Sequence, residues 1–190
     1  MSLRFIGAML RSPGSVGAVW PSSPALAEEM VRSADIASNR CVVELGPGTG
    51  VFTEKITSRL STNTKFAAIE RDSVLAKMVA EKFPSVQVIE GCATEISRHL
   101  REASLPSPDT ILSGLPWAVF PENLQRSILG EIHNSLISGG TFATFAYFGP
   151  HRLKAGRHFS NNLKSIFSSV EKSRVVFNNF PPAFVYRCKR

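Results

Sequence analysis

Short apolar runs alternate with helical patterns along most of this 190-residue chain. The β-rich runs cover 41–46, 65–70, 86–91, 110–115 and 141–148. Helical spacing of apolar residues separates them, over 50–60, 73–83, 94–101 and 122–137. Strands that alternate with helices of this length predict βαβ units around a parallel sheet whose two faces are both covered.

The end of the chain breaks this alternation. Two further β-rich runs, 173–179 and 183–188, are joined by a Pro-Pro turn and have no helix between them. Strands connected in this way pair antiparallel. The sequence therefore predicts one α/β domain over 1–190, with a doubly wound, seven-stranded, mostly parallel Rossmann-like sheet that ends in an antiparallel hairpin.

Composition agrees with a folded chain and excludes several classes of protein. Hydrophobic residues make up 43% and charged residues 19%, and no apolar run approaches the roughly 20 residues that span a bilayer. The N-terminus lacks the pattern of a signal peptide. Cys41, Cys92 and Cys188 are widely spaced and form no CxxC pair. We therefore expect a cytoplasmic protein with reduced thiols and no metal site.

The basic charge is concentrated at one end. Residues 151–190 contain nine Lys or Arg and one acid, which is a net charge of +8, whereas residues 1–150 carry 13 basic and 14 acidic side chains, which is −1. This asymmetry suggests an anionic partner, either nucleic acid or an acidic membrane surface. The alternative is a basic face that only contacts solvent.

The strongest chemical signal is the glycine turn in CVVELGPGTGVF. Gly46 ends a buried strand, Gly48 lets the backbone approach a ligand, and Gly50 opens the next helix. No Lys-Ser or Lys-Thr follows these glycines, so the turn is not a P-loop for a triphosphate.

Two carboxylates narrow the choice of ligand. Glu70 ends the second strand, 20 residues beyond Gly50, where a carboxylate accepts the hydroxyls of an adenosine ribose. Glu44 lies two positions before the turn, where it would repel a pyrophosphate but suits a ligand that carries an ammonium and a sulfonium. These features predict S-adenosylmethionine (SAM) as the cofactor.

The motifs ELGPGTG and IERD together resemble the class I SAM-dependent methyltransferases. The resemblance implies the strand order 3-2-1-4-5-7-6, with Glu44 and the glycine turn near the methionine half of SAM and Glu70 on the ribose. Members often place an acid after the third strand to hold the adenine amine. This chain has Cys92 there, and a thiol is a poor acceptor. We therefore expect adenine to contact the Ala93 backbone and to be held by packing.

The segment SGLPW after the fourth strand resembles the Asn-Leu-Pro-aromatic segment of the ribosomal RNA adenine dimethyltransferases. Gly114 stands where those enzymes have the amide, followed by Leu115 and Pro116, which are candidate substrate contacts. Trp117 is a candidate catalytic residue, because its ring could form an aromatic wall for a cationic amine. Alternatively, Trp117 is an aromatic residue of the hydrophobic core. Ser113 lies one position early and is a candidate cofactor contact.

Three longer segments are similar to the bacterial phospholipid N-methyltransferases of the SAM-dependent type. They are FIGAMLRSPGSVGAVWPSSPALAEEM at 5–30, SGLPW at 113–117 and NNFPPAFVYR at 178–187. The resemblance implies methylation of the headgroup amine of an aminophospholipid, phosphatidylethanolamine, at the cytoplasmic leaflet. A peripheral position on the inner face of the membrane follows from it.

The N-terminus fits a membrane interface, although docking on its own domain is an open alternative. On a helix, one face would carry five apolar residues, with Arg4 and Arg11 on the other. The apolar residues are Leu3, Phe5, Ile6, Met9 and Leu10. Residues 12–23 are predicted to form a loop over the cofactor, with Trp20, Ser22 and Ser23 as candidate substrate contacts.

Tyr147 ends the fifth strand and is the candidate for orienting the acceptor amine. His151 and His158 lie near the basic end and are candidate phosphate contacts. Besides the lipid enzyme, three readings stay open: an RNA or DNA methyltransferase favoured by the basic end, a small-molecule amine methyltransferase, and a module that binds SAM without catalysis.

Overall fold

The computed structural model describes residues 22–190, apart from the side chain of Lys154, and their strands form one sheet. The strands are β1 (Cys41–Leu45), β2 (Lys65–Glu70), β3 (Gln87–Glu90), β4 (Thr110–Ser113), β5 (Thr141–Tyr147), β6 (Ser169–Lys172) and β7 (Ala183–Lys189). The helices are α1 (Pro24–Ala34), α2 (Val51–Thr57), α3 (Ser73–Lys82), α4 (Ile96–Glu102), α5 (Glu122–Ser135) and α6 (Lys154–Ile166).

The sheet has the order β3-β2-β1-β4-β5-β7-β6, which confirms the predicted topology. Strands β1 to β5 pair in parallel, and β7 is antiparallel to both β5 and β6. The carboxyl ends of β1, β2, β4 and β5 therefore meet at one edge of the sheet. Ligands bind at this edge in doubly wound folds.

The prediction for the first strand of the terminal hairpin was wrong. Residues 173–179 were expected to form it, but β6 is Ser169–Lys172, and beyond it only Val176 makes a single bridge, to Ala183. At Ser173 the N–H still donates to the carbonyl of Val185 at 2.8 Å, but the N–H of Val185 donates to the Ser173 hydroxyl, at 2.9 Å, instead of to a backbone carbonyl. The strand itself has the sequence SVEK, which carries almost no apolar signal.

The four predicted helices are present within a few residues of their expected ends, and two others were not predicted. In α1, the hydroxyl of Ser23 caps the helix and Pro24 occupies its first turn. Helix α6 is largely polar, so its apolar stripe was too sparse to recognise. It packs through the buried side chains of Phe159 and Leu163.

Two hydrophobic clusters cover the two faces of the sheet. Alternate residues of β5 contribute to opposite clusters, Phe142 to one and Phe145 to the other, as the period of a strand requires. Helices α4, α5 and α6 supply residues to the first cluster, and α1 and α2 supply the second. This arrangement fixes the loops at the carboxyl edge from both sides.

Candidate functional site

The glycine turn leaves β1 with three residues in a left-handed conformation. The φ angles of Gly46, Gly48 and Gly50 are +68°, +57° and +84°. A side chain would strain the backbone at each of them. A Cβ added at Gly48 would find no atom within 4 Å, so the turn presents bare backbone to open space at this position.

Glu70 lies against this turn. One oxygen of its carboxylate accepts the N–H of Gly48 at 3.2 Å, and the other accepts the N–H of Asp72 at 3.0 Å. Its side chain is buried. The structure thus brings Glu70 and the glycine turn together, and the carboxylate is held in one orientation by two backbone donors. Its contact with a ribose stays a prediction.

Glu44 is fully buried beneath the turn. Its Oε2 accepts the hydroxyl of Thr53 at 2.7 Å, while Oε1 has no partner among the described residues. Burial raises the pKa of this carboxyl from 4.5 to about 8, against the Thr53 hydrogen bond that lowers it, and the charge of Glu70 adds to the rise. The unpaired oxygen fits a ligand that brings its own donor, such as an ammonium.

Thr53 was missed in the sequence. It lies three residues into the helix pattern after Gly50, and its side chain is fully buried against the sheet. A threonine on the buried face of a helix, close to a buried acid, was the available signal. The Thr53 hydroxyl donates to Oε2 of Glu44, so only Oε1 of that carboxyl lacks a partner among the described residues.

The expected adenine side follows β3. Cys92 is half-buried, and its sulfur accepts the hydroxyl of Thr94 at 3.1 Å. Ala93 begins a short 3-10 helix, Ala93–Glu95. A Cβ at Gly91 would lie 2.3 Å from Nε2 of His99, a buried nitrogen without a partner among the described residues. The role of Cys92 and Ala93 in holding adenine stays a prediction.

The segment after β4 touches the glycine turn directly. A Cβ added at Gly114 would lie 2.7 Å from the carbonyl oxygen of Gly46. Leu115 packs on the same glycine, because a Cβ at Gly46 would meet its Cδ2 at 2.8 Å. Pro116 follows as the half-buried cap of a 3-10 helix, Trp117–Val119. Position 114 therefore has no room for a side chain while the turn keeps this shape.

Trp117 is buried below this segment, with 3% of its surface exposed. Its Nε1 donates to the hydroxyl of Thr144 at 3.0 Å, and its ring stacks on Phe159 at a centroid distance of 5.0 Å. Ser113 is also fully buried, with its hydroxyl accepting the N–H of Leu115 at 3.2 Å. Both residues support the loop from inside in this structure, so neither of them forms an open surface.

A buried amide pair was missed by sequence reasoning. Gln125 donates through Nε2 to the carbonyls of Trp117 and Phe120, at 3.0 and 3.1 Å. Its Oε1 accepts from Nδ2 of Asn162 on α6, at 3.2 Å. The signal was a polar residue on the apolar stripe of α5, three positions before Ile128. The pair fixes the loop between β4 and α5.

Tyr147 lies at the end of β5 on the opposite face of the sheet from Trp117. Its ring meets Phe145 edge-on at 5.6 Å within the second cluster, and burial raises the pKa of its phenol. It is therefore neutral at physiological pH. The two predicted catalytic residues belong to different clusters, and whether either contacts the acceptor stays a prediction.

The N-terminal candidates are only partly described. Ser23 caps α1, and its N–H donates to Oδ1 of the buried Asn179 at 2.9 Å. Ser22 is half-buried just before it. Trp20 and the amphipathic pattern at 3–10 lie outside the described residues. Ser23 thus ties the start of α1 to the connection between β6 and β7.

Residues 22–190 show neither a metal-binding cluster nor a membrane-spanning helix. No group of His, Cys, Asp and Glu in this part of the chain could hold a metal ion. No helix in the same range is long and apolar enough to cross a membrane.

Comparison with known proteins finds a partial family match. The sequence pattern of the ribosomal RNA adenine dimethylase family matches residues 15–96. This range contains the glycine turn, Glu70 and Cys92. It ends before β4, so the segment from Ser113 to Trp117 lies outside the match.

Curated relatives differ in how much of the chain they resemble. An ornithine lipid N-methyltransferase of Singulisphaera acidiphila is 29% identical over 97% of this chain and 94% of its own length. A ribosomal RNA small subunit methyltransferase A of Chlorobium phaeobacteroides is 32% identical over 50% of this chain. The chain spans only 34% of the length of that second relative.

Solved structures share the fold at low sequence identity. TrmN from Thermus thermophilus has a TM-score of 0.66 and 18% identity, and the match covers 88% of this chain and 49% of that one. The fibrillarin of Aeropyrum pernix, solved with bound S-adenosyl-L-methionine, has a TM-score of 0.64 and 15% identity over 86% of this chain and 72% of its own.

Proposed function

We propose that this chain, which has the fold of the class I SAM-dependent methyltransferases, methylates the primary amine of a membrane lipid. The expectations of an enzyme and of SAM as cofactor are confirmed. The identity of the methyl acceptor goes beyond these confirmed expectations and is our proposal. The proposed acceptor is an aminophospholipid or a related aminolipid at the inner face of the membrane.

The cofactor edge suits SAM in charge and shape. When bound, SAM supplies an electrophilic methyl group on its sulfonium. Oε1 of Glu44 has no partner among the described residues and would accept from the ammonium of the methionine half, and Glu70, held by two backbone donors, would accept from the ribose hydroxyls. Gly48 leaves room for a ligand against the backbone. These residues bind and orient, which is most of what an in-line transfer needs.

The observation that carries the lipid proposal is the contact between Gly114 and Gly46. Amide side chains read adenine through its amino group and ring nitrogen. An amide at 114 is excluded because any Cβ would lie 2.7 Å from the Gly46 carbonyl. Recognition of an alkylamine does not require a planar amide side chain. The relative that matches nearly the whole chain is named a lipid N-methyltransferase, which supports the same choice.

The acceptor amine must lose a proton before it attacks. A primary alkylamine has a pKa near that of lysine, about 10.4, and is mostly charged at neutral pH. The loop offers an apolar surround of half-buried Leu115, Pro116 and Phe120, which disfavours the charged form. The neutral phenol of Tyr147 is predicted to orient the amine by accepting one of its N–H groups, which leaves the nitrogen lone pair free to attack. The proton of the amine would pass to water, and the sulfonium would leave as the neutral thioether S-adenosylhomocysteine.

An RNA adenine methyltransferase is the second candidate. It is favoured by the partial family match and by the net charge of +8 over residues 151–190. The match stops before the acceptor segment, so this support concerns the cofactor half of the chain.

The test is methyl transfer from labelled SAM to a panel of acceptors. The panel is phosphatidylethanolamine vesicles, ornithine lipid vesicles, free ethanolamine and unmodified small ribosomal subunits. We expect label in one of the two lipids and at most a trace in the others. Label confined to ribosomal RNA or to free ethanolamine would refute the lipid proposal, with phosphatidylcholine vesicles as the control for trapped SAM.

A further inference from the structure

Exposed apolar side chains collect at one place on the described surface. Seven large apolar residues are exposed in residues 22–190, and Val74 and Met78 lie together on α3. The other five occur in the connections after β4 and β5 and before β7. We call these five the apolar rim: Val119, Phe148, Leu153, Phe177 and Phe180.

The rim segments after β5 and before β7 are held to one another at the carboxyl end of β5, and Val119 follows the neighbouring strand β4. The N–H of Phe148 donates to the carbonyl of Pro182 at 2.7 Å, which joins the end of β5 to the β6–β7 connection. Buried Asn179 anchors that connection to Ser23. Leu153 and Phe177 are nevertheless 66% and 73% exposed. These side chains point outward from an ordered frame.

Positive charge borders the rim. The guanidinium of Arg152 lies 5.9 Å from the ring centroid of Phe148, and the ammonium of Lys172 lies 5.0 Å from that of Phe184. His151 packs between Phe148 and Phe184, at 5.5 and 4.9 Å. Arg152 and Lys172 are both exposed. Arg152 thus lies against the rim residue Phe148, and Lys172 lies against Phe184, which shares the His151 ring contact with Phe148.

We propose that the apolar rim, with Arg152 and Lys172, docks this enzyme on an anionic bilayer. The inference rests on the proposed lipid substrate and names the surface that meets it. Projecting apolar side chains enter the boundary between headgroups and acyl chains, while long cationic side chains reach lipid phosphates. Basic side chains near the membrane surface strengthen binding to acidic lipids.

The location of the rim gives docking a consequence for catalysis. Val119 belongs to the loop that carries Leu115 and Pro116, and Phe148 follows Tyr147 directly. A bilayer against the rim therefore lies beside the expected acceptor site. A headgroup amine reaches the site while its acyl chains stay in the membrane, so the lipid is not extracted into water.

The test compares two matched double variants in the full-length chain. Leu153→Ser with Phe177→Ser removes two exposed rim side chains. Val74→Ser with Met78→Ser removes two exposed side chains of α3, which packs on β2 and β3 at the opposite side of the sheet. Sedimentation with vesicles of phosphatidylcholine and phosphatidylglycerol measures docking. We expect about a tenfold loss of vesicle binding for the rim variant only, because apolar area leaves the interface. Melting temperature and SAM affinity monitor folding.

A charge variant gives an independent readout that does not depend on the apolar change. Arg152→Gln with Lys172→Gln should flatten the salt dependence of vesicle binding, whereas exposed Lys77→Gln on α3 should not. A folded rim variant that binds anionic vesicles as well as the unaltered chain overturns the inference. A rim variant that keeps vesicle binding but loses RNA binding in a gel shift would assign the surface to RNA.

Rates of methyl transfer distinguish a failure of the docking inference from a failure of the proposed function on which it rests. A short-chain aminolipid dispersed as monomers should be methylated at the same rate by the rim variant and the unaltered chain, and only the vesicle rate should fall. No transfer to any lipid by the unaltered chain refutes the proposed function, while vesicle binding still decides docking. If deletion of residues 1–10 abolishes docking and the rim variant keeps it, the rim is not the surface.

Discussion

The half of the sheet that we propose binds the cofactor (the cofactor half) and the half that we propose receives the acceptor (the acceptor half) differ in the sequence separation of their side-chain hydrogen bonds. Around β1 and β2, Glu44 bonds Thr53 nine residues away, and Glu70 bonds Gly48 across 22 residues. In the acceptor half, Gln125 bonds Asn162 across 37 residues, and Ser23 bonds Asn179 across 156. The first set belongs to one βαβ unit, and the second joins separate parts of the chain.

This difference explains which half can be altered alone. The cofactor turn is shaped by glycines and by acceptors within its own unit, so changes in the acceptor network should leave it intact. The two halves meet between β1 and β4, where Gly114 and Leu115 both lie tightly against Gly46. The following predictions use that contrast, from the largest expected effect to the smallest.

Gly114→Asn should remove SAM binding below detection and destabilise the chain by about 1–3 kcal/mol, because overpacking here displaces the turn itself. Calorimetric titration with SAM and thermal melting measure both effects. Gly130→Asn is the matched control, since a Cβ at Gly130 meets nothing within 4 Å. If Gly114→Asn binds SAM normally, the two halves are not coupled at this contact.

Gln125→Ala should destabilise the chain by about 2 kcal/mol, since the carbonyls of Trp117 and Phe120 lose a buried donor. Methyl transfer should slow while SAM affinity stays unchanged. Single-turnover rates and SAM titration distinguish these outcomes. Arg126→Ala, which alters an exposed pair with Glu122 on the same helix, serves as control. Equal losses of SAM affinity and of rate would mean that the acceptor network also supports the cofactor turn.

The stability of the SAM-free protein should fall as pH rises from about 4.5 to 8. Glu44 keeps its proton over this range in the folded state, because its pKa is raised from 4.5 to about 8, whereas the unfolded chain releases it. The slope is at most about 1.4 kcal/mol per pH unit. Glu44→Gln should reduce it, as thermal melts across this range would detect.

SAM should bind more tightly as pH rises toward 8, because its ammonium favours the ionised Glu44 carboxylate and binding releases a proton. Calorimetry in two buffers of different ionisation enthalpy counts that proton. Binding without proton release at neutral pH would show that the ligand does not meet Glu44.

Cys92→Asp should leave SAM affinity equal or make it a few-fold tighter, since a carboxylate accepts a hydrogen bond better than a thiol. Cys92→Ser is the conservative control. Titration with SAM is again the measurement. A clear loss of affinity would show that the residues after β3 do not face adenine.

Local sequence was sufficient for the cofactor half. Gly46, Gly48 and Gly50 were recognisable because a left-handed backbone excludes other residues, and their distance to Glu70 is set by one strand-helix-strand unit. Strands β1, β2, β4 and β5, which are buried over most of their length, were predictable for a related reason. Buried parallel strands are continuously apolar, so each run marks its own position.

Only the tertiary structure decided the acceptor half. The sequence around Trp117 predicts only an aromatic residue at the end of a strand. Its burial depends on contacts with Thr144 and with Phe159, which lies on a helix that the sequence did not predict. The edge strand β6 is polar, since one of its sides has no partner strand to bury it. Contacts between distant segments leave no period in the sequence. The glycine turn is therefore encoded locally, whereas the loop after β4, which we propose receives the acceptor, is shaped by packing.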